Sequence, residues 1–208
     1  VEKSKPETEQ SEQHGTWQRL RARWKLFLIM AICAAPMIAS YLTYYVIKPQ
    51  SRTNYGALID PSQYPLPQLK SHTLDGAASG LADYKGKWII LQVAGGDCDD
   101  ACKARLFAMR QLRLMQGKEM ERIERVWLIT DEQPLDTMVM REFDGTDMLR
   151  VDANVLHAWL PTDPGTTAAD HIYLIDPLGN LMMRFPKNGD PGKMQKDIAK
   201  LLLASSIG

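Results

Sequence analysis

Two cysteines four residues apart, Cys98 and Cys102 in "GGDCDDAC", are the residues of this chain best equipped for chemistry. Their sulfurs can close a disulfide, exchange electrons with another thiol, or bind a soft metal. On a helix, residues i and i+4 share a face with Cβ atoms about 5–6 Å apart. A bridge between them needs Cα atoms within about 7 Å. If the pair occupies the first turns of a helix, the unpaired N–H groups and the dipole there stabilise thiolate. Asp97, Asp99 and Asp100 oppose this with negative charge. Redox motifs favour a tighter spacing than this one, and two thiolates in the wider bite suit Cu(I). An inert local bridge is the plain alternative.

A metal site needs further donors. The histidines are His14, His72, His157 and His171. His171 opens the run "HIYLID", which the chain order places near the cysteines, so it is the candidate third ligand or proton-transfer group. His72 is expected at the surface, and His157 packed or partly exposed on a short helix. Met182 and Met183 alternate faces on the following strand; one could offer a thioether, but core packing is the expected role.

The elements that must position these groups follow from periodicity. "WIILQVA" (88–94) is a continuous apolar run of the kind that forms a strand buried on both faces. Gly95 and Gly96 end it. A helix is expected from Asp97 to about Gln116, with Ala101, Ala104, Ala108, Leu112 and Met115 at spacings of three and four. "RVWLIT" (125–130) is a second apolar strand, Pro134 opens a helix reaching Phe143, and "LRVD" (149–152) and "NVLHAWL" (154–160) suggest a short strand and a short helix. Residues 171–185 form a hairpin over "PLGN". Asp190 caps a last helix that Pro191 starts. This order gives an α/β sandwich, a central mixed sheet flanked by helices, parallel first and antiparallel at the end. Both cysteines then lie at the C-terminal end of a central parallel strand, where open α/β sheets place their sites.

The N-terminal quarter has a different character. Residues 1–23, polar throughout 1–14, are expected to be a disordered cytoplasmic tail. Arg19, Arg21, Arg23 and Lys25 precede "LFLIMAICAAPMIASYLTYYVI" (26–47), which holds no charged residue. About 20 apolar residues cross a hydrocarbon core of about 30 Å, so a transmembrane anchor helix is expected over 24–47. Trp24, Tyr41, Tyr44 and Tyr45 suit the interfaces. Cys33, inside the span, reads as a small packing residue. A cleaved signal peptide would have a shorter apolar core. The basic flank leaves the N-terminus in the cytoplasm and sends the rest across, in a bacterium into the oxidising periplasm. Residues 48–63 read as a linker and 64–208 as the exported domain. With 25 basic and 25 acidic residues and no basic, aromatic-interleaved patch, nucleic-acid binding is set aside.

Taken together, a single anchor, "GKWIILQVAGGDCDDAC", "RVWLIT", "HIYLIDPLGNLMMRF" and a closing helix resemble the Sco (SenC) family over most of residues 64–203. The resemblance implies a thioredoxin-like fold, an inner-membrane location with the C-terminal domain in the periplasm, and a role in cytochrome c oxidase assembly. The partners implied are an oxidase subunit or other assembly factors. It also implies that Cys98 and Cys102 bind copper or keep a client's metal-site cysteines reduced, with His171 the candidate third copper ligand. The sequence departs from the family at three places. Asp99 and Lys103 stand where proline usually follows each cysteine, Ala168 stands at the family's copper histidine, and His171 is displaced from it by three positions, which changes strand face. Two other readings remain open: a periplasmic thiol–disulfide oxidoreductase, and a catalytically inactive docking module.

Overall fold

The computed structural model describes residues 9–43, 45 and 54–207, the side chains of 9–23 and 26 excepted. It divides into two compact units, residues 1–52 and 53–208.

The first unit is helix α1 (Glu9–Leu42). It begins inside the tail expected to be disordered, because Glu, Gln, Arg and Leu between 9 and 23 all favour helix. Among the described residues no helix is long and apolar enough to cross a membrane. The span expected over 24–47 runs past the end of α1, and residues 44, 46 and 47 lie outside those described, as do residues 48–53 of the expected linker. Cys33 is a free, exposed thiol on α1.

In the second unit a seven-stranded sheet forms among the described residues. Its strands are β1 (Ala57–Leu58), β2 (Ser71–Thr73), β3 (Trp88–Ala94), β4 (Ile123–Ile129), β5 (Asp147–Val151), β6 (Ile172–Ile175) and β7 (Leu181–Arg184), in the order β1-β7-β6-β3-β4-β5-β2. β3, β4 and β5 run parallel, while β6 and β7 pair antiparallel, as do β3 and β6. Every residue of β3 is buried, as its apolar run requires. The flanking helices are α2 (Asp100–Leu114), α3 (Thr137–Glu142), α4 (Ala153–Trp159) and α5 (Pro191–Ala204).

Alternation along the strands sorts the core into layers. Ile89, Leu91 and Val93 of β3, with Val126, Leu128 and Tyr173, pack toward Leu156 and Trp159 of α4. Trp88 and Ile90 face the other way, onto Met109 and Leu112 of α2 and Met194, Ile198 and Leu202 of α5. A third cluster continues that second face toward the strand ends: Ala94, Leu106, Trp127, Ile129, Val139, Phe143 and both cysteines.

The folded domain starts before Tyr64, where the linker was expected to end. β1 pairs with β7, and the buried Asp197 of α5 accepts hydrogen bonds from the backbone N–H groups of Tyr55 (2.6 Å) and Gly56 (2.9 Å). Asp197→Ala leaves both N–H groups without an acceptor. An unmet buried donor costs about 1–3 kcal/mol, so the variant is expected to lose about 2 kcal/mol in urea unfolding; an unchanged midpoint would show that Asp197 does not hold this segment.

Candidate functional site

The sheet delivers the cysteines to one place. β3 ends at Ala94, and Gly95 and Gly96 turn the chain beneath the segment that follows β4. A Cβ on Gly95 would sit 2.6 Å from Asp131 Oδ2, and one on Gly96 2.7 Å from the Gln133 carbonyl; only glycine lets the two segments approach this closely. Asp131 Oδ1 accepts from the Gly96 N–H at 2.9 Å.

α2 begins three residues later than the sequence suggested. Asp99 is the N-cap, its Oδ1 accepting from the Cys102 N–H at 2.8 Å. Asp99, rather than Asp97 where the helix was expected to start, has its carboxylate on a first-turn N–H. Cys102 therefore lies in the first turn of α2, while Cys98 lies before the cap with φ +32°, a left-handed conformation costing about 1–2 kcal/mol for a residue with a Cβ. The two sulfurs are bonded to each other as the disulfide Cys98–Cys102, with Cα atoms 5.1 Å apart.

The bridge is closed off from solvent. Cys98 is 2% exposed and Cys102 1%, covered by Leu106, Trp127, Ile129, Val139 and Phe143. The cover comes from α3 and β4, whose approach no local pattern around the cysteines announces. A groove of about 450 Å³ runs along α2 past Ala101, Arg105, Phe107 and Met194, but neither cysteine lines it. Burial holds the Arg105 guanidinium below its ordinary pKa, with Asp99 and Asp170 acting the other way.

Gln92 escapes a reading of the sequence because it sits inside an apolar run. It is fully buried on β3, level with Trp127 of β4 and Ile172 of β6, and its Nε2 donates to Cys102 Sγ at 3.4 Å. The available signal was one amide among six apolar neighbours.

The histidines do not join the site. The expectation that His171 faces the cysteines is not met. It has the strand parity of Tyr173, which packs in the α4-side core, whereas Ile172 faces α2 and α5; its ring also stands edge-on to Tyr173 at 6.1 Å. Both ring nitrogens are engaged: Nδ1 donates to the Phe185 carbonyl at 2.9 Å, and Nε2 lies 2.7 Å from Thr166 Oγ1. His72, on edge strand β2, lies 4.0 Å from Glu132, and His157 is exposed on α4. The side chain of His14 lies outside those described. Met183 is buried in the α2–α5 core and Met182 packs against it. In the disulfide form the pair offers copper no thiolate. The two sulfurs are bonded to each other, His171 points to the other face of the sheet, and among the described residues no group of three or more His, Cys, Asp or Glu side chains is placed to hold a metal.

Residues 88–205 match a family model described as transmembrane-like, thioredoxin-like, C-terminal domain. Residues 18–46 match its transmembrane-like N-terminal counterpart. No curated protein matches the chain. Among solved structures, yeast Sco1 aligns with a TM-score of 0.55 at 14% identity, covering 69% of this chain and 96% of that one. Arabidopsis thaliana ScoI with copper bound aligns at 0.52 and 16% identity, covering 73% and 99%. The thioredoxin domain of a thiol-disulfide oxidoreductase from Bacteroides vulgatus aligns at 0.50 and 17% identity, covering 70% and 99%. At such identities the likeness establishes the thioredoxin-like fold, and the Sco/SenC resemblance drawn from the sequence holds at that level.

Proposed function

Because this chain belongs to the family that joins a transmembrane-like N-terminal segment to a thioredoxin-like C-terminal domain, we propose that it is a membrane-held, Sco-like thiol–disulfide exchange protein acting through Cys98 and Cys102. One observation carries the reading: the pair closes a disulfide where central strand β3 hands over to the N-terminus of α2. There the helix dipole favours thiolate, and open α/β sheets place their sites at such strand ends.

The exchange balances as follows. A partner thiolate attacks Cys98 Sγ, the Cys98–Cys102 bond breaks, and the electron pair leaves on Cys102 Sγ. A second partner thiolate attacks the partner sulfur of the mixed disulfide, releasing Cys98 as thiolate and the partner as a disulfide. Two electrons enter the pair, and two protons follow onto its sulfurs. Run backward, the dithiol reduces a client disulfide.

The Sco resemblance supplies the client: metal-site cysteines of cytochrome c oxidase, reached from the periplasmic face of the inner membrane, with α1 as part of the anchor. Replacing both cysteines (Cys98→Ser/Cys102→Ser) is expected to lower oxidase activity in host membranes toward that of cells lacking the protein; unchanged activity would leave a docking module instead. The scheme itself needs no copper, and among the described residues no third His, Cys, Asp or Glu is placed beside the pair. Cu(I) titration of the reduced full-length protein is expected to bind no more metal than the double serine variant, and stoichiometric cysteine-dependent binding would replace exchange with metal delivery.

A further inference from the structure

β3 carries one polar side chain, and it touches the disulfide. Gln92 is fully buried; its Nε2–H donates to Cys102 Sγ at 3.4 Å, while its Oε1 is buried with no hydrogen-bond partner. An apolar residue of the same size would satisfy this position better, since a buried acceptor left unmet is costly and rare. A side chain that burdens the oxidised core points to the state in which the burden is lifted.

We propose that Gln92 sets the redox poise of the Cys98–Cys102 pair, acting directly on the sulfur that leaves when the bond opens. This rests on the exchange reading above. When a partner thiolate bonds to Cys98 Sγ, the electron pair and the negative charge arrive on Cys102 Sγ, in reach of the Gln92 N–H. Hydrogen bonds to charged acceptors are about twice as strong as neutral ones, so the amide holds this sulfur more firmly after the bond breaks than before. A better stabilised leaving thiolate also leaves faster. Once Cys102 takes up its proton, a half-turn of the amide presents Oε1 to the S–H, giving the oxygen the donor it lacks in the disulfide form. The thiolate strengthens the bond to Nε2 and the thiol meets Oε1; the disulfide does neither. The residue therefore biases the pair toward reduction.

The test uses full-length protein in detergent, with Gln92→Leu removing donor and acceptor at similar volume and Gln92→Met as a second apolar variant in case the first fails to fold. Equilibration against dithiothreitol is expected to show the reduction constant falling about tenfold, about 30 mV for a two-electron couple. In a Cys98→Ser background, the thiolate absorbance of Cys102 is expected to appear about one pH unit higher in the Gln92 variants, the same factor of ten. A merely structural Gln92 would lower the stability of both redox forms and leave their ratio unchanged; that result, or a wild-type ratio with wild-type stability, overturns the assignment. The two readings fail separately. A wild-type pair that stays oxidised across all glutathione buffers removes the exchange function, whereas absence of a shift between wild type and variant removes only the role of Gln92.

Discussion

Phe143→Ala is expected to destabilise the oxidised protein by about 3–5 kcal/mol and to open its disulfide to reduction. Phe143 is 1% exposed, ends α3, and packs in the cluster that holds both sulfurs. Truncation removes the transfer free energy of a ring and leaves a cavity beside the bridge, which the surrounding strands are too rigid to fill. Cysteines only 2% and 1% exposed meet a partner thiolate only from a locally opened state, and the population of that state rises as its free energy above the native state falls. Urea unfolding reads the first effect, and thiol release under dithiothreitol the second. Lost stability with an unchanged reduction rate would mean that α3 is not the cover.

Asp131→Ala is expected to act on access with a smaller loss of fold. Asp131 Oδ1 accepts from the N–H of Gly96 and from that of Gln133 at 3.1 Å, tying the turn before Cys98 to the segment that leads into α3. Arg150 secures the same segment, donating to the Asp131 carbonyl and, at 2.8 Å, to that of Gln133. Its contacts with the carboxylates of Asp131 (4.0 Å) and the exposed Glu132 (3.7 Å) are long, and are worth little. Loss of the two bonds to a charged acceptor at this partly exposed position lowers the opening free energy by about 1–3 kcal/mol. Reduction of the disulfide by a small thiol should therefore speed up about fivefold to 150-fold. Asp131→Asn keeps an acceptor and should recover most of the wild-type rate. Equal rates in all three proteins would show that opening proceeds elsewhere.

The parts of this molecule legible in its sequence were those fixed by local chemistry. The run 88–94 is β3 to the residue because a strand buried on both faces needs unbroken apolarity. The start of α5 was likewise plain: Asp190 accepts from the Gly192 and Lys193 N–H groups, and Pro191 needs no donor. The hairpin of β6 and β7 follows from a turn in which Asp176 accepts from Leu178 and Asn180. β1 and β2, at two and three residues, are too short to show a period, and each owes its existence to a partner far along the chain, β7 and β5. The same distance effect hid the site's most consequential feature. The spacing of Cys98 and Cys102 announces that they can bond, but their cover is supplied by Val139 and Phe143, some forty residues on. His171 was misplaced for the converse reason: chain order brings β6 beside β3, yet strand parity turns that side chain to the opposite face.

The reduction potential of the Cys98–Cys102 pair in the full-length protein tests the account most directly. Equilibration across glutathione and dithiothreitol buffers, with thiols counted after acid quench, is expected to place it between about −120 and −270 mV, the range of exchange catalysts. A value below about −300 mV would identify a structural bridge and contradict the proposed function.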